Sequence, residues 1–351
     1  MKAYKTTMIA TAAAVLAAGT ASAEKWDMPM AYAASNFHSE MGVVFAEKVK
    51  SYTNGDIEIT VHPGGSLFKG GEIKRAVQTG QAPIGERLLS SHANELPILG
   101  WDNLPFLAST YDANEKLWQA AKDTVNAQLA DQNLVVLYTC PWPGQGFYFK
   151  KAVTSSADTQ GIKFRSYNTA TAQIAKELGM LPVQVEAAEL SQALATGVAE
   201  AFISSGATGY DRKVWEHLSH YYKVNAWLPR NYVIINKGVW DGLSSGTQAD
   251  IQRAADETGA ACLAKSEGLA NWYFEQLEAN GMQVIDAGPE FLKELKAIGA
   301  KMQGDWVAAS GSDGKAVINA YKKMQISKTI FCLLPLGGAG YFPFFEAYFY
   351  V

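Results

Sequence analysis

The sequence predicts an α/β protein of two lobes, each with a mixed, mostly parallel sheet flanked by helices. Apolar runs that read as strands alternate along the chain with segments of helical periodicity, an order typical of parallel sheets covered by helices. The 351 residues are enough for two lobes, each with a core. Residues 247–280 contain no proline, and their helical pattern predicts one helix of roughly 50 Å, at about 1.5 Å per residue, that crosses both lobes.

The N-terminus predicts a cleaved signal peptide over residues 1–23. Two lysines precede an apolar run that ends at Leu16, and Ala21-Ser22-Ala23 supply small residues for cleavage. The apolar run is too short to form a stable membrane span. We therefore expect the mature chain to begin at Glu24 and, because no cysteine follows the cleavage site as a lipid attachment point, to be free in the periplasm.

The first elements of the mature chain alternate between helix and strand. Apolar residues recur at helical spacing over residues 37–52, and Asn54-Gly55 predicts the end of that helix. Residues 57–61 alternate apolar and polar side chains before a glycine-rich turn, which predicts a strand. A second helix is predicted over residues 71–79, with Gly80 at its end.

The same order continues in the rest of the chain. Helical patterns lead from Arg165 to Leu178 and across residues 188–196, and a glycine follows each of them. Further strands are predicted at residues 134–137, 162–165, 182–185 and 232–235.

Residues 326–351 form an atypical apolar tail. This segment is rich in Phe, Tyr, Leu and Gly, but Pro335, Pro343 and Gly337-Gly338 argue against a regular membrane helix. We expect the tail to lack a helical pattern and to lie outside the fold.

Charge and cysteine content exclude some classes of protein. The chain has 30 Lys and Arg against 34 Asp and Glu, a formal net charge of −4, so nucleic-acid binding is not expected. The three cysteines, Cys140, Cys262 and Cys332, are an odd number with no close pair. We therefore expect buried thiols rather than a disulfide framework.

The sequence lacks the common catalytic motifs. It contains no G-x-S-x-G, H-E-x-x-H or Walker sequence, so hydrolase, zinc-protease and nucleotide-binding activities are without their required residues. His217 and His220 are spaced to share one helix face and hold a metal, but no third ligand is near them, and a surface helix is favoured. No cofactor or metal site is predicted.

The strongest binding signal is Arg165, in the segment Gly161-Ile162-Lys163-Phe164-Arg165. A strand ends and a helix begins here, and ligands of open α/β sheets bind in the crevice at the carboxyl ends of the strands. A guanidinium matches a carboxylate with two parallel hydrogen bonds, which a lysine cannot reproduce. From the residues alone, a structural surface ion pair remains the alternative.

Short motifs are distributed along the chain, namely Phe45-Ala46-Glu47, Thr53-Asn54-Gly55, Ile59-Thr60-Val61-His62-Pro63-Gly64-Gly65-Ser66-Leu67, Asp158 with the Arg165 segment, and Leu194-Ala195-Thr196-Gly197. With these motifs the chain resembles, over residues 26–324, the solute-binding proteins of TRAP transporters, the DctP-like family. The resemblance implies a periplasmic binding protein fold that closes on an organic anion and delivers it to the small and large membrane subunits of the transporter. It also implies that Arg165 binds the substrate carboxylate.

The resemblance also implies further ligand contacts. Where many relatives place a second arginine, this chain has Gln145, so we expect a monocarboxylate rather than a dicarboxylate. Placement in the same segments adds Asn36, Phe37, Glu86 and Ser204 to the predicted pocket. Several aromatic residues suit an apolar or aromatic ligand body, namely Phe37, Trp142, Tyr167, Tyr210 and Trp227.

The predicted lobes are each built from two stretches of chain. Residues 24–143 and 231–265 are assigned to the first lobe, and residues 144–230 and 266–325 to the second. The alternatives that remain are a receptor of another importer class, a secreted enzyme that acts on a small carboxylate, and a structural or adhesive exported protein.

Overall fold

A computed structural model describes residues 23–331, with side chains up to Gln325. The predicted signal peptide, apart from Ala23, and the tail beyond Phe331 lie outside the described residues. The strands are β1 (Glu24–Pro29), β2 (Ile57–His62), β3 (Ile84–Leu88), β4 (Leu134–Pro141), β5 (Gly146–Phe149), β6 (Lys163–Ser166), β7 (Leu181–Gln184), β8 (Ala201–Ser204), β9 (His220–Lys223), β10 (Arg230–Asn236) and β11 (Gln283–Asp286). The helices are α1 (Phe37–Tyr52), α2 (Ile73–Gln78), α3 (Tyr111–Ala130), α4 (Thr169–Glu177), α5 (Leu190–Ala195), α6 (Gly206–Asp211), α7 (Lys237–Gly242), α8 (Ser245–Ala279) and α9 (Pro289–Phe331).

The first lobe is built on a mixed sheet. Strands β1 and β2 pair in parallel, and a bridge between Met30 and Glu86 joins them to the three strands in the order β3-β10-β4. Strand β10 runs antiparallel to both of its neighbours. Every residue of β3 and of β10 is buried, as expected for strands that are covered on both faces.

The second lobe has a six-stranded sheet in the order β11-β9-β5-β8-β6-β7. All of its pairs are parallel except those that β5 makes with β8 and β9. The chain passes from β4 in the first lobe to β5 in the second, and it returns from β9 to β10. The two strands that run antiparallel to their neighbours, β5 and β10, therefore each follow a crossing between the lobes. The two-lobe α/β prediction is confirmed, while the residue boundaries assigned to the lobes remain predictions.

Two long helices connect the lobes. Helix α8 has 35 residues, which at about 1.5 Å per residue gives roughly 52 Å. It packs on α1 and β4 in the first lobe and on α6 and β11 in the second, so the predicted crossing helix is confirmed. Helix α9 packs on α3 in the first lobe and α4 in the second, and it is kinked at Gly311, where φ is 60°.

Helix α9 also corrects the prediction for the tail. The sequence predicts an irregular segment from Ile326, but α9 continues through Phe331. The first proline of the tail is Pro335, so residues 326–331 contain nothing that must end a helix already established upstream. None of the helices within residues 23–331 has an apolar stretch long enough to cross a membrane.

A disulfide between Cys140 and Cys262 shows that the prediction of free thiols at these positions is wrong. Their Cα atoms are 5.7 Å apart, although 122 positions separate them in sequence. Cys140 lies near the end of β4 and Cys262 near the middle of α8, so the packing of this helix on the strand brings the sulfurs together. The third cysteine, Cys332, lies outside the described residues.

Candidate functional site

A cavity lies between the two lobes. It encloses about 30 Å³ of space accessible to the centre of a water molecule. Four of its lining residues come from the carboxyl-terminal parts of β3, β6 and β8, where ligands of open α/β sheets bind. The described residues that line it are Tyr32, Arg87, Leu88, Ser91, Trp142, Gln145, Arg165, Tyr167, Glu186, Ala187, Ser204, Thr208 and Pro229.

Arg165 presents an unpaired guanidinium edge to this cavity. Its Nε donates a hydrogen bond of 2.9 Å to the carbonyl of Val185, and its guanidinium carbon lies 5.1 Å from the centroid of the Tyr167 ring. Burial lowers the pKa of Arg165 to about 10, so the side chain stays charged at neutral pH. Within residues 23–331 its two terminal nitrogens have no hydrogen-bond partner and no carboxylate within ion-pair distance. They are therefore free to bind a ligand carboxylate.

A second guanidinium in the cavity, that of Arg87, is already neutralised. Its Nη1 donates a hydrogen bond of 3.1 Å to Oε2 of Glu186, and its Nη2 donates one of 3.1 Å to Oε1. Arg87 belongs to β3 of the first lobe and Glu186 follows β7 of the second, so the pair joins the lobes across the cavity. Of the described lining residues, only Arg87, Arg165 and Glu186 carry formal charges, which leaves one net positive charge at Arg165.

Aromatic and amide side chains form a hydrogen-bonded wall beside Arg165. Trp227 donates through Nε1 to the Tyr167 hydroxyl at 3.1 Å, and that hydroxyl donates to Oε1 of Gln145 at 3.2 Å. Gln145 in turn donates to the carbonyl of Pro143 at 2.9 Å. Both polar atoms of the Gln145 amide therefore have protein partners, and their main effect is to hold the ring of Tyr167 in place.

Other lining residues add aromatic rings and hydroxyls to the cavity. Tyr32 and Trp142 pack edge to face with ring centroids 4.8 Å apart, and Trp142 donates to Asn231 at 2.8 Å. The hydroxyl of Ser204, at the end of β8, donates to that of Thr208 at 2.8 Å. The cavity thus offers flat apolar faces together with hydroxyl groups that can accept or donate hydrogen bonds.

Other polar contacts between the lobes surround the cavity. Asn36, beside α1, donates a hydrogen bond of 2.6 Å through Nδ2 to the carboxylate of Asp211 at the end of α6. Asn168, which caps α4, donates through Nδ2 to Asn103 in the first lobe at 2.7 Å. These contacts and the Arg87–Glu186 pair describe a molecule with its lobes closed.

Half of the residues predicted from sequence line the cavity. These are Trp142, Gln145, Arg165, Tyr167 and Ser204. The other five lie outside the lining. Asn36 bridges the lobes, Phe37 packs against Trp142, and Trp227 supports Tyr167. Tyr210 packs on Trp272, and Glu86 lies in a separate buried cluster.

Glu86 points away from the cavity because neighbouring strand residues face opposite sides of a sheet, and Arg87 takes the cavity side. Its carboxylate accepts a hydrogen bond from Asn231 and lies 3.4 Å from Nδ1 of His38. Burial raises the pKa of Glu86 to about 8 and lowers that of His38 well below its ordinary value. At neutral pH the pair is therefore mainly uncharged, which suits an interior position.

The histidines and cysteines make no thiolate or helical metal site in the described part of the chain. His38 lies close to Cys140 and Cys262, but their sulfurs are bonded to each other. The expected surface helix for His217 and His220 is wrong, because His217 follows a short 3₁₀ turn and His220 begins β9. A left-handed backbone at Lys213, with φ of 48°, separates α6 from that turn.

Sequence reasoning missed several cavity residues, among them Tyr32, Arg87, Glu186 and Thr208. A period-two reading of β3 could have identified Arg87, since it alternates with Glu86. No local pattern signals its partner Glu186, which lies 99 positions away.

Comparison with known proteins places the chain in a family. Residues 30–307 match the profile described as bacterial extracellular solute-binding protein, family 7, or DctP. A curated relative, the C4-dicarboxylate-binding periplasmic protein DctP of Rhodobacter capsulatus, is 27% identical over 263 residues, which cover 72% of this chain and 75% of the relative.

Two solved structures are more similar. A TRAP solute-binding protein from a marine metagenome, described as specific for pyroglutamate and solved with co-purified pyroglutamate, is 81% identical, with a TM-score of 0.85 over 86% of this chain and 99% of that chain. DctP6 of Bordetella pertussis, a receptor that binds pyroglutamic acid, is 43% identical, with a TM-score of 0.84 over 86% of this chain and 100% of that chain. These relatives are solute receptors and not enzymes, and this chain belongs to the same DctP family of extracellular solute-binding proteins.

Proposed function

We propose that this protein is a periplasmic receptor that binds pyroglutamate between its lobes and delivers it to the membrane subunits of a TRAP transporter. The observation that carries the proposal is that the described residues lining the cavity have a single uncompensated charge, at Arg165. One buried guanidinium with two free terminal nitrogens matches one carboxylate, since a second carboxylate would be buried without a partner. A monocarboxylate is therefore the expected class of ligand.

The ring of pyroglutamate suits the remaining walls. Tyr32, Trp142 and Tyr167 supply flat faces for a small ring, and the hydroxyls of Ser204 and Thr208 lie nearby. The two solved relatives described above are both pyroglutamate receptors, which supports this acid among monocarboxylates. The proposal keeps the monocarboxylate expected from sequence and replaces the expected apolar or aromatic body with a ring that has a polar lactam edge.

Closure of the lobes explains how the receptor holds its ligand. In an open form, Arg165 in the second lobe would be accessible to an acid from solution. Closure brings Arg87 to Glu186 and Asn36 to Asp211, and it removes water from the Arg165 fork. Charge-assisted hydrogen bonds strengthen when water is excluded, so ligand binding and closure stabilise each other.

Calorimetry of protein that has been unfolded, washed and refolded tests the ligand, because this procedure removes any acid carried through purification. We expect saturable binding of pyroglutamate with one site per chain. Proline keeps the ring and the carboxylate but has a charged amine in place of the lactam. Succinate has two carboxylates. Both should therefore bind far more weakly than pyroglutamate. Tight binding of succinate with no response to pyroglutamate would contradict the proposal.

Export and delivery are tested separately. Mass spectrometry of a periplasmic extract should find a chain that begins at Glu24, and an intact chain from Met1 in the membrane fraction would contradict export. Uptake of pyroglutamate by vesicles that contain the TRAP membrane subunits should require addition of this receptor. Uptake that instead required ATP hydrolysis would assign the receptor to another importer class.

A further inference from the structure

We infer that the Arg87–Glu186 pair recognises the lactam edge of the ligand, in addition to joining the two lobes. This inference rests on the proposed function, because it requires a ligand with a lactam group. Both side chains line the same cavity as Arg165. Arg87 belongs to the first lobe and Glu186 to the second. The carboxylate and the lactam edge of one ligand would then be bound by two different guanidinium groups.

The pair presents a donor and an acceptor side by side. Each Nη of Arg87 uses one hydrogen for Glu186, at 3.1 Å, and each Nη carries a second hydrogen. The carboxylate oxygens of Glu186 also keep lone pairs for a further donor. A lactam has its C=O acceptor and its N–H donor next to each other on one edge of the ring. Arg87 can therefore donate to the lactam oxygen while Glu186 accepts from the lactam N–H.

The surroundings hold this pair in position. Arg87 is buried, and within residues 23–331 its Nε has no hydrogen-bond partner. Gly70 lies against the pair: a Cβ atom at that position would come within 2.8 Å of Nη1 of Arg87 and 2.9 Å of Oε2 of Glu186. A side chain at this position would require the pair to shift. The pair is thus packed closely on one side, and its accessible side is the cavity.

Recognition of the lactam can be separated from a role in closure alone. A pair that only held the lobes together would stabilise the closed form with every acid, and its loss would weaken all ligands by the same factor. A pair that binds the lactam discriminates between ring atoms. The lactone analogue of pyroglutamate, 5-oxotetrahydrofuran-2-carboxylate, has a ring oxygen in place of the N–H, and this oxygen would face the Glu186 carboxylate with no proton between them.

The experiment measures the dissociation constants of pyroglutamate and of this lactone for the parent protein and for Glu186→Gln. The amide of the variant can turn its N–H toward the ring oxygen of the lactone. We therefore expect the ratio of the lactone dissociation constant to the pyroglutamate dissociation constant, which is the preference for the lactam, to fall roughly tenfold or more, as for loss of a hydrogen bond to a charged group. Glu189→Gln is the matched control: it removes the same charge from an exposed position nearby that does not line the cavity, and the preference should not change.

The possible outcomes are distinct. If Glu186→Gln weakens both ligands by the same factor, the pair serves only in closure and the inference is overturned, while the proposed function stands. If the parent protein binds another acid and not pyroglutamate, the proposed function and this inference both fail. Should Glu186→Gln not fold, Arg87→Lys provides a second test, because it keeps the charge but loses the fork: the preference for pyroglutamate over cyclopentanecarboxylate should shrink. An unchanged preference in that variant would also overturn the inference.

Discussion

Replacement of Arg165 by alanine should weaken pyroglutamate binding without unfolding the protein. Among the described residues that line the cavity, Arg165 supplies the one uncompensated positive charge, so its loss leaves the ligand carboxylate without an unpaired cation. Truncation of one partner of a buried charge pair costs about 2–5 kcal/mol, which raises the dissociation constant about 30-fold to several thousand-fold.

The contacts of Arg165 also predict the effect of a lysine. The hydrogen bond from Nε to Val185 and the packing on Tyr167 fix the guanidinium plane before the ligand arrives. Lysine keeps the charge but has neither the planar fork nor the Nε donor, so Arg165→Lys should bind with an affinity between those of the parent and the alanine variant.

Stability should change little in the absence of ligand. Arg165→Ala removes one hydrogen bond, worth about 1 kcal/mol, and it also removes the cost of burying a charge. The free energy of unfolding in urea checks this expectation.

The assay is calorimetry at constant ionic strength on refolded, ligand-free protein. Arg75→Ala is the matched control, because Arg75 is an exposed arginine on α2 that does not line the cavity. We expect parental affinity in this control. Parental affinity in Arg165→Ala would refute the assignment of the carboxylate to Arg165.

Further predictions concern stability, pH and the tail. Replacement of Cys140 and Cys262 by serine should lower the free energy of unfolding by about 2–5 kcal/mol, because the disulfide closes a loop of 122 residues; an unchanged urea midpoint without reductant would contradict this. The folded pKa of Glu86 is about 8 against an ordinary 4.5, so the folded state holds an extra proton between these values and the contribution of Glu86 to the free energy of unfolding is lost as pH rises through 8. His38, whose folded pKa is lowered, acts in the opposite direction below its ordinary value of 6.5, so the free energy of unfolding should fall between pH 7 and 8; Glu86→Gln should reduce that slope, and equal slopes would argue against a protonated Glu86. Deletion of residues 326–351 should leave pyroglutamate affinity unchanged, since the described residues that line the cavity fall between Tyr32 and Pro229; calorimetry on the truncated chain checks it, and lost binding would show that the tail supports the site.

Much of the fold follows from local sequence patterns. A helical pattern without proline predicts the crossing helix over residues 247–280. In the structure this helix spans Ser245–Ala279, and the side chain of Ser244 caps its N-terminus. Arg165 was found because a strand end, a helix start and a family motif coincide in one short segment. Such features need no knowledge of which distant residues meet.

Features that depend on tertiary pairing could not be predicted. The Cys140–Cys262 bond and the Arg87–Glu186 pair join residues 122 and 99 positions apart, and only the packed fold brings them together. The sequence prediction names Glu86, but neighbouring strand residues face opposite sides of the sheet, and Arg87 is the one that faces the cavity.

A crystal structure of the protein with pyroglutamate would locate the ligand carboxylate directly. We expect its two oxygens to lie roughly 2.7–2.9 Å from the terminal nitrogens of Arg165, the range for charge-assisted hydrogen bonds. A carboxylate bound by Arg87 instead, with Arg165 still bonded only to the carbonyl of Val185, would contradict the proposed mode of binding.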